Sequence, residues 1–269
     1  AAGRGSRADT PGPSDLASFE EAYRVLRSNL TVSLADFARP RVVVTSANAE
    51  EGKSVTCTNM ALAFARAGQR VVLLDLDLRT PNAHRLVGAH NDFGVTDLLL
   101  GRRSLEDCLQ FLTLPAANVG SARGVYFIGT GPSVNNPGEL LGLERTAQML
   151  EGLADEADVV FIDSPPVLSV ADTLVIGRMV SGAVLVVEAG KTSISAVAKA
   201  KSLLVRNRTR ILGVVLNKVK PRDAGFDDGF NRPASPAEPE RTDTNPTRRQ
   251  LTSNGNGRAQ GELPPGPGP

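Results

Sequence analysis

Three short runs in this chain are apolar at every position, not at every second one: Val42-Val43-Val44, Val71-Val72-Leu73-Leu74 and Val159-Val160-Phe161-Ile162. Successive residues of a strand point to opposite faces, so a strand that is apolar throughout must be covered on both. Parallel sheets flanked by helices supply that cover. Six short β-branched segments, these three among them, Arg41–Ser46, Arg70–Asp75, Val125–Gly129, Val159–Asp163, Ala183–Val187 and Ile211–Leu216, are predicted as strands. The longer amphipathic segments Lys53–Ala67, Glu139–Glu156, Asp172–Val180 and Ser195–Arg206 are predicted as helices. The alternation specifies an α/β fold, a mostly parallel twisted sheet with helices on both faces and right-handed crossovers. Aromatics make up 4% of the chain and Trp is absent, so the core must be aliphatic.

A further helix is expected from Ser18 to Leu34, capped by Ser18 and carrying Phe19, Ala22, Leu26 and Leu30 as its apolar stripe. Residues 1–17 read as a flexible lead-in and 18–220 as one domain. Half of the chain's 18 prolines fall in residues 221–269, among polar residues and few large apolar ones. Such a tail buries too little to offset its ordering entropy and is expected to be disordered, with no amphipathic anchoring helix. The net charge of +1 gives no electrostatic case for nucleic acid. Two cysteines, Cys57 and Cys108, make neither a disulfide scaffold nor a metal site, which suits a reducing cytosol. Cys57 is expected to pack on the sheet, and His84 and His90 lack the further ligands a metal site needs. No run is long and apolar enough to span a bilayer, and no secretory signal opens the chain. The chain starts with Ala, not Met, which suggests the soluble part of a longer protein with any membrane segment upstream.

Three motifs carry chemistry. The first predicted strand runs into Ser46-Ala47-Asn48-Ala49-Glu50-Glu51-Gly52-Lys53-Ser54, and a helix follows. In a P-loop, successive backbone N–H groups and a helix N-terminus cradle phosphates, a Lys reaches the β/γ-phosphates and a Ser hydroxyl binds Mg²⁺. Here Ala49, Glu50, Glu51, Gly52, Lys53, Ser54 and Val55 would hold the ATP phosphates, although Ala47 stands where the usual pattern has its first glycine. The second strand ends in Asp75-Leu76-Asp77, with both carboxylates on one side at the C-terminal sheet edge, where open α/β sheets bind ligands. Like charges there need a cation or hydrogen bonds; Mg²⁺ or capping of the turn Arg79-Thr80-Pro81 would supply them. The third is Asp163, which ends an apolar strand as a Walker B acid does and could equally cap a turn when taken alone.

In this order the motifs resemble the bacterial tyrosine kinases, the P-loop kinases coupled to capsule and exopolysaccharide assembly. The resemblance covers roughly residues 18–219 and includes Glu21-Ala22-Tyr23-Arg24-Val25-Leu26-Arg27-Ser28-Asn29-Leu30, the P-loop and Leu74-Asp75-Leu76-Asp77-Leu78-Arg79-Thr80-Pro81-Asn82-Ala83-His84. Further along come Phe93-Gly94-Val95-Thr96-Asp97-Leu98-Leu99, Asn136-Pro137-Gly138-Glu139-Leu140-Leu141 and Asp163-Ser164-Pro165-Pro166-Val167-Leu168. The family belongs to the MinD/ParA-like P-loop superfamily and tolerates a missing first glycine. The resemblance implies that Lys53 binds the β/γ-phosphates, that Ser54 and Asp77 hold Mg²⁺, and that Asp163 acts through a metal-bound water. It makes Asp75 a candidate base for the attacking tyrosine hydroxyl, in a role it could exchange with Asp77, and places Asn217 on the adenine or leaves it a polar strand end. From spacing alone, Glu21, Arg24 and Arg27 form a solvated helix side with a weak ion pair. In the family this Glu-x-x-Arg-x-x-Arg pattern builds a ring-shaped homo-oligomer, in which one subunit presents a tyrosine tail to its neighbour. The expected partner is a transmembrane co-polymerase, separate or fused upstream, which would place the domain at the inner face of the plasma membrane.

The chain departs from the family at its end. Its two tyrosines, Tyr23 and Tyr126, both precede the tail, and the C-terminal tyrosine cluster is absent. Kinase activity on another protein's tyrosine, autophosphorylation of Tyr23 and an ATP-switched assembly module without kinase activity are the readings this leaves. A MinD/ParA-type ATPase is disfavoured because Asn48 stands where that family has an extra lysine. A dinucleotide-binding oxidoreductase is disfavoured because no Gly-x-Gly-x-x-Gly follows the first strand.

Overall fold

The computed structural model describes residues 13–114 and 124–219, with the backbone alone for residues 13–16. Of the two units into which the chain divides, Ala1–Gly225 and Phe226–Pro269, only the first contains described residues, so the Pro-rich tail lies outside them. The chain runs α1 (Pro13–Leu34), β1 (Arg41–Ser46), α2 (Lys53–Arg66), β2 (Val71–Asp75), α3 (Ala83–Val87), α4 (Val95–Leu99), α5 (Leu105–Cys108) and β3 (Gln110–Thr113). It continues through β4 (Gly124–Ile128), α6 (Pro137–Leu141), α7 (Glu144–Glu156), β5 (Val159–Asp163), α8 (Asp172–Gly177), β6 (Gly182–Glu188), α9 (Ile194–Arg206) and β7 (Ile211–Asn217).

The strands form a seven-stranded sheet in the order β3-β4-β2-β5-β1-β6-β7. All neighbours are parallel except β3 and β4, which pair antiparallel. The apolar runs split residue by residue between two cores. Val43, Val72, Leu74, Val160, Ile162, Ala183 and Leu185 face one, with Leu150, Leu153, Ile176 and Leu204 of α7, α8 and α9. Val42, Val44, Val71, Leu73, Phe161 and Val184 face the other, with Leu30 of α1 and Cys57, Met60 and Phe64 of α2. The ring of Phe64 meets that of Phe161 edge-on at 5.0 Å. Helices therefore cover both faces, and Cys57 packs on the sheet as expected.

Several boundaries differ from those the sequence predicts. Helix α1 begins at Pro13, five residues early; Pro is favoured in a first turn because its missing N–H would be unpaired there anyway. Its inner stripe is Tyr23, Leu26, Leu30 and Leu34, while Phe19 and Ala22 are exposed. Phe19 packs edge-on against Tyr23 at 4.9 Å instead of reaching the sheet. The predicted Glu139–Glu156 helix is two helices: Leu143 is extended (ψ 146°), and the Thr146 hydroxyl takes the Leu140 carbonyl at 3.2 Å. Strand β3 was not predicted. Among the described residues, no helix is long and apolar enough to cross a membrane.

Strands β1, β2 and β5 stand side by side in the middle of the sheet, although they are far apart in sequence. Their C-terminal ends bring the three chemical motifs together.

Candidate functional site

The loop from β1 to α2 is shaped from its outer side. The Ser46 hydroxyl donates to the Asn48 carbonyl at 2.6 Å, and Ala47 is fully buried. The Glu51 carboxylate folds back over the loop. It accepts from the Asn48 backbone N–H (3.1 Å), the Asn48 side-chain amide (3.0 Å) and the Thr192 hydroxyl (2.7 Å). Glu50 and Gly52 are left-handed, with φ of 64° and 90°. A Cβ at Gly52 would lie 2.1 Å from Asn217 Nδ2, so glycine is required there for conformation and for space. Between Ala49 and Val55, no backbone N–H has a hydrogen-bond acceptor among the described residues. Seven consecutive free donors ending at a helix N-terminus form an anion cradle.

Lys53, the first residue of α2, reaches from this loop into a cluster of carboxylates. Its Nζ lies 2.7 Å from Asp77 Oδ2, 3.7 Å from Asp163 Oδ1 and 3.2 Å from Ser54 Oγ. Asp75, Asp77 and Asp163 have no exposed surface, and Asp75 sits directly beside Asp163 in the sheet register. Asp75 accepts backbone N–H groups of Asp77 (3.0 Å) and Ala83 (3.2 Å). Asp77 accepts the Thr80 N–H at 3.0 Å and its hydroxyl at 3.1–3.2 Å. Both oxygens of Asp163 are buried with no hydrogen bond of good geometry.

One ammonium thus faces three buried carboxylates, and the titration directions follow. Burial, opposed by the attraction of Lys53, pushes Asp163 up to about 6. Burial and then the neighbouring Asp163 charge push Asp75 well above the usual carboxylate range, against the pull of its two backbone N–H partners. Burial pulls Lys53 down, but Asp163 and Asp77 together outweigh it and hold the ammonium above its ordinary value. Cys57 is driven well up by burial and is inert as a nucleophile.

The residues fit a divalent cation bound with phosphates. The carboxylate of Asp163 is a buried anion with no hydrogen bond of good geometry and only the Lys53 ammonium at 3.7 Å to offset its charge, a costly arrangement that a cation or its bound water relieves. No three His, Cys, Asp or Glu side chains among the described residues could cage a metal by themselves. Mg²⁺ characteristically takes one or two carboxylates and completes its shell with phosphate oxygens and water.

The other predicted residues divide. Asn217, expected at the adenine, donates its side-chain amide to the Glu51 carbonyl at 3.0 Å and so supports the loop. Glu21 pairs with Arg24 at 2.7 Å on the exposed side of α1, with Arg27 on the same helix and far in sequence from the carboxylates. Sequence reasoning missed Thr192 and Lys218, which touch Glu51 and Glu50. Lys218 follows Asn217 directly, and that adjacency was the one available signal. It also missed the fork in which Arg79 Nε and Nη2 reach Asp172 at 2.8 and 3.1 Å, tying the turn after β2 to α8.

Comparison with known proteins identifies the family. Residues 42–235 match the CobQ/CobB/MinD/ParA nucleotide binding domain family. The chain is 36% identical over 200 residues to tyrosine-protein kinase YwqD of Bacillus subtilis, covering 74% of this chain and 81% of that one. It is 30% identical over 216 residues to tyrosine-protein kinase wzc of Salmonella typhi, covering 80% of this chain but spanning only 29% of that longer protein. The solved kinase domain of Escherichia coli tyrosine kinase ETK superposes with a TM-score of 0.72 at 30% identity, over 81% of this chain and 84% of that one. Identity of 30–36% over most of its length, together with the matching nucleotide-binding fold, places the chain in the bacterial tyrosine kinase family of P-loop proteins.

Proposed function

We propose that this chain is an ATP- and Mg²⁺-dependent protein-tyrosine kinase domain that regulates capsule or exopolysaccharide assembly. The observation that carries the reading is Lys53 held between Asp77 and Asp163 within the run of seven unpaired backbone amides from Ala49 to Val55. In this reading the amides of Ala49–Val55 bind the phosphates and Lys53 moves from Asp77 to the β/γ-phosphates. Ser54 and Asp77 would hold Mg²⁺, and Asp163 would act through a metal-bound water. The metal neutralises charge on the phosphates when bound. Asp75, whose raised proton affinity suits a base, takes the tyrosine proton as the phenolic oxygen attacks the γ-phosphorus and ADP leaves. Glu21, Arg24 and Arg27 mediate a homo-oligomer. A transmembrane co-polymerase, encoded separately or fused, positions the domain at the inner membrane face; the greater length of the Salmonella relative supports fusion as one arrangement.

The phosphoacceptor is a tyrosine of another protein. Within this chain Tyr23 is half-buried, packing from α1 against the core that α2 lines, and Tyr126, although its side chain is exposed, is held by its backbone in β4 between β2 and β3. The test incubates the chain with γ-labelled ATP, Mg²⁺ and a tyrosine-rich acceptor, beside Lys53→Ala, with phosphorylated residues mapped by mass spectrometry. Acceptor label that disappears in Lys53→Ala supports the kinase. ATP binding that depends on Lys53, with no transfer to any tyrosine, would favour an ATP-switched assembly module, and absence of nucleotide binding by folded protein would sink both.

A further inference from the structure

Three non-glycine residues among those described have left-handed backbones: Glu50, Arg208 and Lys218. Two of them are joined by one hydrogen bond. Lys218, just past the end of β7, donates its Nζ to the Glu50 carbonyl at 2.7 Å and pairs with Glu188 Oε2 at 2.9 Å. The preceding residue, Asn217, takes the next carbonyl of the same loop, that of Glu51. Consecutive loop carbonyls are thus drawn outward to the end of β7, and the N–H groups beside them remain unpaired. Left-handed conformations away from glycine are costly and persist where the surroundings impose them, often at functional sites.

We propose that Lys218 is a positioning residue for phosphate binding, acting through the Glu50 carbonyl and not by touching the nucleotide. Its ammonium anchors that carbonyl, which fixes Glu50 in the left-handed state and aims the adjoining N–H groups into the cradle. Glu188, which also pairs with Lys191 at 3.4 Å, holds the ammonium in place. This rests on the reading of the loop as an ATP site and adds to it a residue about 170 positions further along the chain.

The experiment measures the affinities of Mg²⁺·ATP and of adenosine by displacement of a fluorescent ATP analogue. It uses the full chain, Lys218→Met, Lys218→Arg and Glu188→Gln, with thermal midpoints recorded for each. Lys218→Met is expected to weaken ATP about tenfold and leave adenosine unchanged, because only the phosphate cradle is disturbed. Lys218→Arg restores most of the loss, and Glu188→Gln, the milder change, costs about threefold. Wild-type ATP affinity in folded Lys218→Met overturns the proposal, as does an equal loss for adenosine. Tighter ATP binding in Glu188→Gln also overturns it, since a released lysine would then be contacting phosphate directly. Should Lys218→Met not fold, an unchanged ATP affinity in Glu188→Gln overturns the proposal on its own. Failure of the unmodified chain to bind ATP counts against the ATP-site reading instead.

Discussion

Asp163 is held in a state that its surroundings do not support. It has no hydrogen bond of good geometry, lies beside Asp75, and shares a single lysine with Asp77. Because its folded value of about 6 lies above the ordinary aspartate value, the folded state binds a proton more tightly than the unfolded chain does. The stability contribution of this group therefore rises as pH falls from about 7 towards about 4. In metal-free, nucleotide-free buffer, Asp163→Asn should remove that dependence and stabilise the domain at neutral pH by roughly 2 kcal/mol while abolishing phosphoryl transfer. Denaturant titrations at pH 5 and 7.5 check it; an equal loss of stability at both values would refute the account. Gly52→Ala is expected to behave oppositely. The added Cβ would collide with Asn217 from a left-handed backbone, so ATP binding should be lost and stability should drop by about 1–3 kcal/mol. Equilibrium unfolding and nucleotide titration measure both effects.

Among the elements, the fork between Arg79 and Asp172 joins the turn carrying Asp77 to α8. Asp172 is buried whereas Arg79 is part-exposed, so removing the arginine leaves the costlier orphan. Arg79→Ala should destabilise by roughly 2–4 kcal/mol, and Asp172→Asn by less; chemical denaturation of both variants tests the asymmetry. The central strands were legible because β1, β2 and β5 are apolar on both faces, a pattern that only a covered parallel sheet satisfies. The phosphate loop and its acids were legible because each follows such a strand. Strand β3 was not: it has four residues at the sheet edge, and its alternating burial carries little weight over so short a run. The break before α7 was hidden too, because Gly142-Leu143 keeps the apolar spacing while Thr146 draws off a helix carbonyl. The inward roles of Glu51, Asn217 and Lys218 depend on contacts between residues about 140 to 170 positions apart, which local patterns do not encode.

For the whole molecule, α1 lies on α2, and α2 begins with Lys53, so the helix proposed to contact neighbours and the nucleotide site share one core. Replacing Glu21, Arg24 and Arg27 together with Ala should shift the oligomer towards monomer in light scattering, with intrinsic stability changed by less than about 1 kcal/mol because the one ion pair among them is exposed. An unchanged oligomer would move the interface elsewhere. Leu30→Ala, by contrast, should cost about 2–4 kcal/mol by opening a cavity between α1 and the sheet.

The placement of β5 between β1 and β2 has a consequence for how the protein is made. During synthesis, the phosphate loop and the Asp75 turn emerge first, but the strand that lies between their parent strands comes much later in the chain. Long-range parallel pairing is slow and exposes apolar edges until it closes. A ribosome-bound chain stopped before Val159 should therefore have no competent nucleotide site, and ATP capture would report arrival of the fifth strand. The ligand can then act as a late fastener on the nascent fold, selecting molecules in which the middle of the sheet has been filled.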